Sequence, residues 1–209
     1  MVQRLDRLKE SPSQTAGPYI HIGATPNHAG IEIYGNGGDL GRTMAGPDAK
    51  GERIAITGHV FDGAGAPLRD ALLEIWQADA AGLYNSPRER RGKADPAFAG
   101  WGRQPTDGVT GLYRFETIKP GRAPFVDGRP MAPHVTFWIV ARGINLGLHT
   151  RMYFADEAAA NAECPVLARI EHRDRVATLI AARGEEAGKP VYRFDIRLQG
   201  ERETVFFDI

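Results

Sequence analysis

The chain has 209 residues, 42% of them hydrophobic, and balances 26 Lys and Arg against 26 Asp and Glu. That is enough apolar material to bury a core in one all-β domain, while the balanced charge leaves no footprint for nucleic acid or an anionic membrane. A single cysteine, Cys164, excludes an intrachain disulfide; the opening MVQRLDRLKESPSQT has no signal-peptide core and no run nears the ~20 apolar residues of a membrane span, so a cytoplasmic protein is expected.

Residues 1–52 carry seven glycines between Gly23 and Gly46 with little periodicity, which favours irregular backbone. Tyr19, Ile20, Ile22, Ile31, Ile33 and Tyr34 make this stretch too apolar for a solvated tail, so it is read as an arm that docks on a partner or on the domain. The glycine cluster YGNGGDLG (34–41) lacks the Lys-Ser/Thr of a phosphate loop and belongs to that arm.

From Arg53 the pattern alternates. Ile54, Ile56 and Gly58, the turn Asp62–Pro67 and the run Leu72–Ala78 predict two strands joined as a hairpin. Asp79–Gly108, rich in Gly, Pro and charge, reads as a long functional or interfacial loop with Tyr84 near its start. Leu112–Ile118, His134–Ala141, Leu148–Phe154, Tyr192–Leu198 and Glu203–Asp208 supply five more strands, and seven strands with turns between them predict a β-sandwich over 53–209. A helical insertion, 156–183, interrupts them: Asp156 is expected to N-cap the first helix, and Arg175–Arg183 carries Val176, Leu179 and Ile180 on one helical face.

Of the six histidines, none forms an H-x-H or H-x-x-x-H pair, and a zinc-type cluster is absent. His59 and His149 read as hydrogen-bonded strand histidines. No G-x-S-x-G elbow occurs, and Cys164 stands before a proline with nothing in sequence to lower its pKa, so hydrolase chemistry is unsupported. His134 and Thr136, two apart on one strand, point to the same face, so a ligand at one would be joined by the other; there the second is only a hydroxyl.

The run ITGHVFDGAGAPLRDALLEIWQADAAGLY (56–84), the IKPG turn (118–121), the His134 strand and the closing YRFDIRLQGERETVFFDI (192–209) resemble the intradiol ring-cleaving dioxygenases; SQTAGPYIHIG (13–23), PMAPH (130–134) and ARGINLGLHTRMYF (141–154) extend the resemblance over nearly the whole chain. It implies a ferric ion held, in catalytic chains, by two tyrosines and two histidines. Tyr84 matches the tyrosine of the W-Q-A-x-x-x-G-x-Y run, but Ala123 stands at the second tyrosine and His134-Val135-Thr136 at the H-x-H pair; Met131 replaces an arginine, with Arg129 displaced by two. Alanine has no donor atom and a threonine hydroxyl is a poor ligand for a trivalent ion whose charge two tyrosinates would offset. No metal is therefore expected in this chain, with Tyr84, Ala123, His134 and Thr136 as vestigial ligand positions and no catalytic residue of its own.

The resemblance further implies a non-catalytic subunit of a hetero-oligomer whose catalytic beta subunit holds Fe(III), the assembly cleaving protocatechuate with O2 to 3-carboxy-cis,cis-muconate. It also implies that Thr15, Gly17, Pro18, Tyr19 and Arg142 line the pocket shared with that partner. Two other readings stay open: a free-standing β-sandwich binding module, and a self-sufficient metalloenzyme using Tyr84, His134 and a carboxylate such as Asp79 or Asp107.

Overall fold

Side chains buried and half-exposed in alternation along Leu72–Trp76 and His134–Val140 mark a sheet with one face on a core, and a computed structural model shows that sheet. It describes residues 15–17, 19–35, 38–145 and 147–208. Among the described residues nine strands form: β1 (Arg53–Phe61), β2 (Leu72–Trp76), β3 (Trp101–Pro105), β4 (Leu112–Ile118), β5 (His134–Val140), β6 (Leu148–Phe154), β7 (Ile180–Glu186), β8 (Lys189–Arg193) and β9 (Ile196–Arg197). Their order is β3-β2-β5-β6-β7-β8-β1-β4, with β9 beside β1. A short parallel pairing of Tyr153 and Phe154 with Ile180 and Ala181 joins the two halves, and β3 comes back against β4, so the sheet nearly closes into the expected all-β sandwich.

The inner faces meet in one core. Leu73, Ile75, Val135, Phe137, Ile139 and Met152 come from the β2-β5-β6 side, and Ile54, Ile56, Tyr113, Phe115 and Tyr192 from the β1-β4-β8 side. Fully burying one such side chain contributes about 1.5–3 kcal/mol. A second cluster lies on the outer face of β6, where Tyr153, Cys164, Val166, Leu167 and Leu179 pack with Ala123, Met131 and Ala132. The insertion supplies its lid.

Several local expectations are corrected. β1 and β2 form no hairpin: β1 pairs with β4, β8 and β9, β2 pairs with β3 and β5, and the 62–67 turn folds back only onto Phe61. The 79–108 loop contains β3, whose glycine and proline hid its pairing with β2. The segment read as a second helix is a 3-10 turn over Arg173–Leu179 followed by β7, because Ile180 and Ala181 find β6; Ala187 and Gly188, both at positive φ, then turn β7 into β8. The Tyr192–Leu198 run breaks into β8 and β9. Glu203–Asp208 is a strap rather than a strand, tied by Val205 N–H to Thr178 Oγ1 and by Phe207 N–H to the His149 carbonyl. Helix α2 (Ala158–Glu163) forms, but its N-cap is Glu157; the Asp156 carboxylate accepts instead from Lys119 Nζ and Tyr192 Oη, each at 2.9 Å.

In the arm, helix α1 (Ile20–Ala24) is fastened by His21, whose Nε2 lies 3.1 Å from the Asp70 carbonyl, while Met44 enters the core. Ile20 is half-buried, and Tyr19, Ile22, Ile31, Ile33 and Tyr34 are exposed. No helix among the described residues is long and apolar enough to cross a membrane.

Candidate degenerate metal site and its cavity

The outer face of β2, β5 and β6 carries the residues singled out by sequence. Register places Thr136 between Trp76 and Arg151, and His134 beside Tyr153. Tyr84 reaches this face because the end of β2 is anchored. Gln77 Nε2 donates to the Ile118 carbonyl at 2.9 Å, and its Oε1 accepts from Thr117 Oγ1. Asp79 then organises the loop, accepting from the amides of Ala81, Leu83 and Asp95 at 2.9 Å each. Gly82, at φ +79°, lies so near the Arg122 carbonyl that a Cβ would stand 2.1 Å from it; Gly121 makes the reciprocal approach to Ala80. This glycine contact brings the loop that carries Tyr84 against the turn that carries Ala123. The Tyr84 ring stacks on Trp76 with centroids 6.2 Å apart and planes nearly parallel.

The structure thus brings together the four positions that the family resemblance aligned, and their chemistry is not that of a metal centre. Ala123 is 1% exposed and packed within the second apolar cluster. His134 is buried, and its Nδ1–H donates to the Ala132 carbonyl at 2.9 Å. Desolvation, with the Arg151 charge in support, lowers its pKa to about 4, so the ring is neutral at pH 7. Burial raises the Tyr84 phenol above its ordinary value, with Arg151 opposing, so at neutral pH it is protonated. Thr136 adds only a hydroxyl. Arg129, the displaced arginine, pairs with Asp127 in solvent. Among the described residues no group of three His, Cys, Asp or Glu side chains lies within ligating reach of one point. The donor set does not fit a ferric ion.

Neither proposed supplementary carboxylate is available. Asp79 is held by three amides, and Asp107 closes its own turn through Val109 N–H, Thr110 N–H and Thr110 Oγ1. The self-sufficient metalloenzyme therefore lacks either carboxylate to add to Tyr84 and His134.

What sequence reasoning missed is Arg151. It stands opposite Thr136, donates to Met131 Sδ at 3.4 Å, lies 5.8 Å from the Phe207 ring, and has no carboxylate partner among the described residues. The signal was present: in LHTRMYF the residues His149, Arg151 and Tyr153 alternate onto the face that β5 gives to His134 and Thr136. Beside Arg151 opens a cavity of about 400 Å³ between the sheet, the insertion and the C-terminal strap. His149 lines it with a buried Nδ1 that has no hydrogen-bond partner, which corrects the expectation of a hydrogen-bonded histidine; His59 Nδ1 likewise has none and lies 3.7 Å from Asp195. Cys164 is buried and free.

The other candidate residues collect past the far end of β5. Arg142, its side chain 67% exposed, pairs with Asp70. Thr15 Oγ1 donates to the Ala141 carbonyl at 3.1 Å and Thr15 bridges Asn145, while Gly17 is half-buried and Tyr19 is 79% exposed. Pro18 lies outside the described residues.

Three comparisons bear on this geometry. A protein-family signature described as Dioxygenase matches residues 34–200. The protocatechuate 3,4-dioxygenase alpha chain of Pseudomonas putida is 50% identical over 204 residues, covering 98% of each chain, and the beta chain of the Burkholderia cepacia enzyme is 38% identical over 74% of this chain and 67% of its own. Among solved structures, an intradiol ring-cleavage dioxygenase from Tetranychus urticae shares the fold, with a TM-score of 0.52 at 22% identity over 75% of this chain and 85% of that one.

Proposed function

The chain belongs to the intradiol ring-cleaving dioxygenases, an iron-dependent family, and from that premise we propose that it is the alpha-type subunit of a protocatechuate 3,4-dioxygenase. In this reading the iron is held by a beta-type partner in a hetero-oligomer, and the assembly, in the cytoplasm, inserts both atoms of O2 into protocatechuate to give 3-carboxy-cis,cis-muconate. The observation that carries it is the pair Ala123 and Thr136, set among a buried neutral His134 and a fixed Arg151, in a chain otherwise similar over its full length to an alpha chain.

What this chain contributes is shape and charge. Residues 1–52 act as an interface arm on a 53–209 sandwich; their exposed Tyr19, Ile22, Ile31, Ile33 and Tyr34 suit burial against another chain. Thr15, Gly17, Pro18, Tyr19 and Arg142 border the partner's pocket, where a guanidinium raises the potential for an anionic substrate and glycine permits close backbone approach. The Arg142–Asp70 pair supports this, since it holds the guanidinium beside the Thr15 segment while leaving most of it in solvent. The test is expression of the chain alone and with a beta-type chain, measuring iron content and oxygen uptake with protocatechuate. Iron and turnover are expected only from the pair; about one iron per isolated chain, with oxygen uptake, would refute the assignment.

A further inference from the structure

We propose that the cavity beside the degenerate metal position is a binding site of this chain for a small aromatic monocarboxylate. Its volume, about 400 Å³, lies within the ordinary range of small-ligand pockets of ~300–1,000 Å³ and exceeds what one substituted benzene ring needs. Two flat walls come from Phe125 and Phe207, and aliphatic side chains of the insertion and the strap complete an apolar lining. Each aromatic wall carries a guanidinium: Arg169 lies 4.5 Å from the Phe125 centroid and Arg151 5.8 Å from that of Phe207. Such stacking holds a planar cation in place and leaves its N–H fork for an anion.

The charges favour one carboxylate. Arg175 is answered by Glu203 at 3.0 Å, whereas Arg151 and Arg169 have no carboxylate partner among the described residues, and Glu171 at the mouth is the cavity's own acid. Two free guanidiniums against one carboxylate leave a single positive charge, matched by a monoanion and poorly by a neutral arene. His149 also lines the cavity, on the β6 wall beside Arg151. Of these two cations Arg151 stands at the register position opposite Thr136, so binding here needs no metal.

The probe is 4-fluorobenzoate, followed by 19F NMR against the full chain with any partner that co-purifies. Because any site outside this cavity is common to parent and variants, the difference between them reads this cavity whether or not a partner is present. Arg151→Met should weaken 4-fluorobenzoate at least tenfold, and neutral 4-fluorobenzyl alcohol should bind the parent at least tenfold more weakly than the acid. Ile170→Trp, which fills the cavity from the insertion without touching either charge, should abolish the same component while near-ultraviolet circular dichroism stays native. Parent-like binding by both variants overturns the site; fluoroacetate binding as tightly as 4-fluorobenzoate overturns its aromatic half.

Discussion

The two ends of β5 have opposite characters. At its start His134 is 5% exposed, beside Ala123 at 1%, under a lid of apolar insertion residues. Past its end Arg142 keeps 67% of its side chain in solvent, next to an arm whose apolar residues are also uncovered. Eight residues of extended chain, roughly 25 Å, separate them. The first end is core: Ala123 fills a packed niche, and desolvation keeps His134 neutral. The second end has no such cover: its cation and the apolar side chains of the neighbouring arm stand in solvent.

The sharpest way to break this comparison is to rebuild the first end. Ala123→Tyr with Thr136→His restores four donor side chains in name, yet Arg151 still stands opposite residue 136. A fixed charge at ~6 Å repels each unit of metal charge by about 3 kcal/mol in a medium of effective dielectric ~20. The double variant is expected to bind iron at least a hundredfold more weakly than the same variant with Arg151→Gln, measured by competition with a chelator. Equal affinities would remove Arg151 from the account. Ala123→Tyr alone should also overpack the second cluster and lower stability by about 1–3 kcal/mol in thermal unfolding, against less than about 0.5 kcal/mol for Arg142→Ala.

Acid provides a test of comparable size. The folded pKa of His134, about 4, lies below its unfolded value of 6.5. Above pH 6.5 the ring is neutral in both states; as pH falls, the unfolded chain takes up a proton that the folded chain refuses. Stability is therefore lost between pH 6.5 and 4, by about 3 kcal/mol over the full interval. His134→Gln should flatten the stability profile in that window relative to the parent, read as denaturant midpoints at stepped pH. An unchanged profile would mean that His134 is not the desolvated group described above.

The sandwich was legible because period-2 alternation in Leu112–Ile118, His134–Val140 and Leu148–Phe154 survives in the structure as sheet faces. Pairing was not. Nothing local says that Ile180 and Ala181 run parallel to β6, and a helical spacing of Val176, Leu179 and Ile180 fits equally well until that partner is present. Trp101–Pro105 carries glycine and proline and becomes a strand only because β2 lies beside it. At the site, the vacancy at Ala123 and Thr136 could be read from residue types, since a missing donor atom is a property of the side chain. Arg151 could not be ranked above the other arginines without register, because its weight comes from what it faces. The failed N-cap at Asp156 has the same origin: Lys119, 37 residues away, competes for the carboxylate.

At the open end the expected effects are smaller and need the assembled enzyme. Arg142→Ala should lower kcat/KM for protocatechuate by roughly tenfold to a hundredfold, about 1.5–3 kcal/mol for one charge-assisted contact, and change catechol, which lacks the carboxylate, little. The Asp70 pair sharpens this: Asp70→Asn frees the guanidinium without removing it and should leave protocatechuate turnover within about threefold, as exposed pairs contribute little. Equal loss on both substrates would move Arg142 from the pocket to the interface.

The smallest effect belongs to Thr15. Its hydroxyl donates to the Ala141 carbonyl, one residue before Arg142, and the backbone at Thr15 bridges Asn145, so the arm is tied to the same turn that carries the guanidinium. Thr15→Val keeps the branched shape and removes that donor, for a net loss of about 1 kcal/mol. Two roles for the hydroxyl then separate by readout. If it positions the arm, amide exchange should quicken over 15–17 and 141–145 in the assembled enzyme, and KM should rise by about fivefold or less for protocatechuate and catechol alike. If it meets the substrate carboxylate, exchange should stay at the parent rate and only protocatechuate should suffer. The observed 3.1 Å bond to Ala141 already takes up the one proton that a threonine hydroxyl can donate. The first outcome is therefore expected, and loss confined to protocatechuate with unchanged exchange would show that the hydroxyl turns away from Ala141 when the pocket is complete.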